Sequence, residues 1–96
     1  MKTIEFPCDD CYEAEKLASL LSVQKDNNVW VSDVLAVVGN EIVIQLKDLS
    51  SHAVMLKDEE TVVRLRSFLM DVINGKVTIY SSCCFDRSVT GITILD

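Results

Sequence analysis

VWVSDVLAVVGNEIVIQL, residues Val29 to Leu46, reads as two strands folded back on one tight turn, and the rest of the chain is arranged around it. The turn is Gly39-Asn40. Glycine at the first central position supplies the positive φ of a two-residue type II′ hairpin turn, and asparagine is tolerated at the second. On the second arm Ile42, Ile44 and Leu46 alternate with Val43, Gln45 and Lys47, the period of a strand with one buried face. The first arm carries Trp30, Val34, Ala36 and Val38 on one face and Val29, Val31, Leu35 and Val37 on the other. Apolar on both faces, it is expected in the interior.

Upstream, Lys2 to Phe6 forms a short strand with Ile4 and Phe6 on one face, and Pro7 ends it. CDDCYEAEKLASLLS comes next as a helix: Asp9 or Asp10 is the N-cap, acids fill the first turns, and Cys11, Ala14, Leu17, Ala18 and Leu21 make one stripe. Gln24 to Asn28 is a polar loop into the hairpin. Asp48 to Ser51 closes the hairpin on the far side, and His52 to Leu56 adds a brief edge strand.

A second helix starts near Asp58, where Asp58, Glu59 and Glu60 complement the positive end of the helix dipole. Its buried stripe is Val62, Leu65, Leu69, Val72 and Ile73, and Gly75 stops it. Lys76 to Ser82 alternates as a strand, CCFDRS is a loop, and Ser88 to Leu95 is the last strand, with Gly91 as its bulge position. The order β-α-β-β-α-β-β belongs to the α+β class and contains the βαββαβ pattern of a ferredoxin-like or related two-layer sandwich. The expectation is one antiparallel sheet with two helices on one face, and Trp30, Val34 and Tyr80 on the other as an interface.

The 96 residues suffice for a single domain, which at this size buries roughly two-thirds of the surface its unfolded chain exposes. At 49% hydrophobic residues the chain carries more apolar matter than a small domain readily hides. The surplus suits an interface, and a two-fold homodimer is the simplest arrangement that covers it. No apolar run reaches the length of about 18 residues that a membrane span needs, and acids stand where a signal peptide would be apolar. The expected location is the cytoplasm, without membrane contact. Fifteen acids against nine bases give a net charge of −6, the wrong sign for a phosphate backbone, which argues against direct nucleic-acid binding.

The chemistry-bearing residues are few. Cys8-Asp9-Asp10-Cys11 places a Cys-x-x-Cys between strand and helix, as in thiol redox sites, but its two aspartates oppose thiolate formation, and Pro7 is the only proline. The plainer reading is a capping turn with Cys11 facing the core. Together Cys8, Cys11, Cys83 and Cys84, with His52 as a substitute, supply enough ligands for a metal, yet adjacent cysteines in an extended chain point to opposite faces. Buried thiols, with no metal and no cofactor, are the expectation, and a cysteine-based metal-binding or thiol protein is the alternative. Cys83, Cys84, Arg87 and Ser88 do not make a phosphate loop, since the Cys-to-Arg spacing is short and a strand comes after it instead of a helix. His52 has no nucleophile paired to it by motif, so no catalytic residue is assigned. These readings converge on a small acidic non-enzymatic protein-binding module, comparable in size and charge to an inhibitor, immunity or accessory protein of phage or mobile-element type.

Overall fold

The computed structural model describes residues 1–22, 24–25, 28–29 and 31–95. In chain order the elements are β1 (Lys2–Pro7), α1 (Cys11–Ser22), β2 (Gln24–Lys25), β3 (Asn28–Val29), β4 (Val31–Val38), β5 (Glu41–Leu46), β6 (Ser51–Met55), α2 (Glu59–Ile73), β7 (Thr78–Asp86) and β8 (Val89–Leu95). The fold is α+β with all strand pairs antiparallel, and β2 pairs with β3 where a plain loop was expected.

The single sheet expected from the sequence is divided. β1, β8 and β7 form one three-stranded sheet in that order, and β4, β5 and β6 form another. The first strand thus pairs with the last. A bridge between Cys8 and Leu56 stitches the two sheets, flanked by Asp9 N–H donating to the Met55 carbonyl (3.0 Å) and Lys57 N–H donating to that of Pro7 (3.1 Å). Each helix serves mainly a different sheet, α1 lying on β7 and β8 and α2 on β4, with lesser contacts to β1 and β5. Their apolar stripes meet in one core that takes Leu17 and Leu21 from α1, Leu65 and Leu69 from α2, and Phe6, Ile42, Ile44, Val54, Ile79 and Ile92 from the strands.

Local chemistry explains the element ends. Asp10 accepts from Glu13 N–H at 2.9 Å and starts α1, and Asp58 accepts from the N–H and hydroxyl of Thr61 at 2.8 and 2.6 Å and starts α2. α2 stops at Gly75, whose φ of +76° lets Lys76 N–H turn back to the Asp71 carbonyl. In the β4–β5 turn Gly39 has φ +58° and Asn40 stays out of the left-handed region, as a type II′ turn requires. The tighter surprise is Leu49 between β5 and β6, a leucine held at φ +71° with its side chain 77% exposed.

The first arm of the hairpin is not interior. β4 is the edge of its sheet, and beyond Val31 its residues are half-buried or exposed. Its faces also differ from simple alternation. The register steps from Val31↔Leu46 to Asp33↔Gln45 and from Val34↔Ile44 to Ala36↔Val43, so Ser32 and Leu35 are extra residues on the β4 side. Each bulge reverses the parity. Val31 and Val34 therefore share the core-facing side with Leu46 and Ile44 and absorb part of the apolar excess seen in the sequence, while Val37, opposite Ile42, remains exposed.

Candidate functional site

Four thiols are free, and the fold places them differently from the expectation. Cys11 is exposed at the first position of α1, and Cys8 is the core-facing member, only 2% exposed. Cys8 sits in the bridge between the sheets. Its Sγ lies 3.5 Å from the Phe6 carbonyl and 3.7 Å from Thr90 Oγ1, and burial pushes its thiol up against the smaller opposing effect of the Thr90 hydrogen bond.

Cys83 and Cys84 belong to β7 and not to a loop, since the strand runs on to Asp86 and only Arg87 and Ser88 make the turn. The extra residues of β7 are Tyr80 and Phe85, and Gly91 pairs regularly with Cys83. After the Tyr80 bulge, Ser82 and Cys84 face inward opposite Ile92 and Thr90, and Cys83 faces out. Two side-chain bonds tie this inner face to α1: Ser82 Oγ donates to the Ala18 carbonyl at 2.6 Å, and Thr90 Oγ1 donates to that of Ala14 at 2.7 Å. Cys84, packed against the core edge, donates to the Asp86 carbonyl at 3.0 Å. Desolvation pushes its thiol up, reinforced in order by the negative charges of Glu15, Cys11, Cys83 and Asp86. The structure thus brings Cys8 and Cys84 to Thr90, Cys8 through its side chain and Cys84 as the cross-strand partner, while Cys11 lies one helical turn before Ala14, whose carbonyl Thr90 holds.

His52 stands elsewhere, the cross-strand partner of Ile44, with Nε2 3.0 Å from Ser50 Oγ. Among the described residues no three His, Cys, Asp or Glu side chains are arranged to hold a metal ion. Of the expected interface residues, Tyr80 is exposed on β7, Val34 is half-buried on β4 against the core, and Trp30 lies outside the described residues. Val34 and Tyr80 belong to different sheets.

Three surface features follow from the tertiary structure. The outer edge of β6 is occupied by α1: Glu13 Oε2 accepts from Met55 N–H at 3.1 Å, Lys16 Nζ donates to the Ala53 carbonyl at 2.8 Å, and the two side chains pair at 3.3 Å. Their spacing of three on a helix was visible, but nothing in it said that a strand edge lay beneath. On β4, by contrast, Leu35, Val37 and Val38 are all exposed, Val38 at 73%. A second apolar surface is a groove of about 470 Å³ between α2 and the β1–β8 sheet, floored by Ile4, Phe6, Phe68 and Ile94. Arg64 overhangs it, its guanidinium 5.2 Å from the Phe6 ring centroid and donating to the Glu5 carbonyl.

No helix among the described residues is long and apolar enough to cross a membrane. No family model, curated protein or solved structure matches the chain.

Proposed function

We propose that this chain is a small acidic protein-binding module without enzymatic activity, acting by surface contact as an inhibitor, immunity or accessory protein of phage or mobile-element type does. The observation that carries the reading is the asymmetry of the second sheet. One of its edges is closed by Glu13 and Lys16, and the other, β4, presents Leu35, Val37 and Val38 to solvent. Exposed apolar side chains on a sheet edge attract another chain unless something covers them. The net charge of −6 keeps such a surface soluble and favours a partner whose rim is basic. It also opposes the approach of nucleic acid.

The simplest occupant is a second copy, giving a two-fold homodimer centred on β4, with Val34 on its inner margin. Tyr80, on the other sheet, extends the surface available to a foreign protein. In this reading the cytoplasm is the working compartment, consistent with four free thiols. Light scattering over a concentration series tests it. A dimer mass for the wild type that falls to the monomer mass for Val38→Glu supports the homodimer, and a monomer at every concentration removes it. The wider reading then stands or falls on a host protein retained by the wild type and released by Val38→Glu.

A further inference from the structure

We propose that Cys11 and Cys84 are a redox-active dithiol that closes to an intramolecular disulfide, pinning the start of α1 to β7. This goes beyond the binding function above and does not depend on it. The geometry comes from three ties along one helix face. Ser82 is bonded to the Ala18 carbonyl, Thr90 to the Ala14 carbonyl, and Cys84 is both the inward neighbour of Ser82 along β7 and the cross-strand partner of Thr90. Moving from Ser82 to Cys84 along the strand is therefore moving from Ala18 toward Cys11 along the helix. Cys11 heads the helix stripe of Ala14 and Ala18, at positions i, i+3 and i+7, and its charge is among those that bear on Cys84.

The remaining thiols are excluded by placement. Cys83 points to the outer face of β7, and Cys8 is sealed in the core behind Thr90. Cys11 is exposed and reaches an external oxidant; Cys84 is half-buried and held as a hydrogen-bond donor to the Asp86 carbonyl. This placement sets their roles. The Cys11 thiolate attacks one sulfur of a low-molecular-weight disulfide such as oxidised glutathione, breaking its S–S bond and expelling one thiolate, which takes up a proton. Cys84 then loses its proton and attacks the Cys11 sulfur of the mixed disulfide, expelling the second thiol. The protein gives up two electrons and two protons, and the small disulfide is reduced to two thiols.

The test is incubation of the reduced protein with oxidised glutathione, then non-reducing peptide mapping and thermal melting. The expected result is a Cys11–Cys84 cross-linked peptide, a loss of two titratable thiols in denaturant, and a melting temperature raised until reductant is added, since the cross-link constrains the unfolded chain. Cys11→Ser should abolish the cross-link and Cys83→Ser should keep it; both positions are exposed, so both variants should fold. The wild-type map carries the test in any case. A bridge through Cys8 or Cys83, a bridge between molecules only, mixed disulfides that never resolve, or four unchanged thiols would each overturn the proposal.

Discussion

Leu65→Ala measures whether α2 is held as its stripe implies. Leu65 is fully buried (0% exposed) in the shared core, and Val63, two residues away on the opposite side of the same helix, is 65% exposed. Replacing a buried leucine by alanine removes its transfer free energy and leaves a cavity that the surroundings only partly fill, costing about 3 to 5 kcal/mol. For a domain of this size each kcal/mol moves the melting temperature by roughly 4 to 8 °C, so a loss of about 3 kcal/mol lowers it by some 12 to 24 °C. That is a large share of a total stability of about 5 to 15 kcal/mol. Val63→Ala, with the same final residue on the same helix, should stay within about 0.5 kcal/mol of the wild type. Urea denaturation monitored by circular dichroism reads both, and the Leu65→Ala midpoint should fall with little change in the denaturant slope. Equal midpoints for the two variants would refute the orientation of α2 and with it the joint core of the two sheets.

Leu49→Gly should stabilise the protein by up to about 1 kcal/mol, because the left-handed backbone costs a leucine about 1 to 2 kcal/mol and glycine returns part of that as unfolded-state entropy; a lowered melting temperature would show that the exposed side chain has a contact worth keeping. Asp58→Ala should lower the melting temperature at neutral pH by removing the cap of α2. The Thr61 hydroxyl and N–H hold the Asp58 carboxyl below its ordinary value of 3.8, so its contribution is present above that pH and disappears as pH falls through the folded value. The variant and the wild type should therefore converge in acid, and a constant difference across the titration would refute the cap. Elemental analysis of protein purified without chelator should find no stoichiometric zinc; one zinc per chain, lost with the fold on chelation, would restore Cys8, Cys11, Cys83 and Cys84 as ligands.

Both helices, a capping aspartate at Asp9 or Asp10, the acidic start of α2 near Asp58 and the Gly39-Asn40 turn were legible in the sequence, because each rests on interactions between residues a few positions apart. The stripes through Leu17 and Leu65 were equally local, since helical periodicity places them without reference to any partner. The alternation of Ile42, Ile44 and Leu46 identified the inward face of β5 for the same reason. What was not legible was every feature that depends on which strand lies beside which. Nothing in Lys2 to Pro7 specifies β8 as its neighbour, and nothing in Val31 to Val38 marks an edge, because an edge is defined by the strand that is missing. The bulges at Ser32, Leu35, Tyr80 and Phe85 arise from register between partners far apart in the chain, and each one reverses the faces that alternation predicts. For the candidate sites the same division holds. The cysteines could be counted from the sequence, but their placement is tertiary: Cys8 is sealed at the bridge between the sheets, Cys11 is exposed at the start of α1, and the register shift at Tyr80 turns Cys84 inward and leaves Cys83 outside.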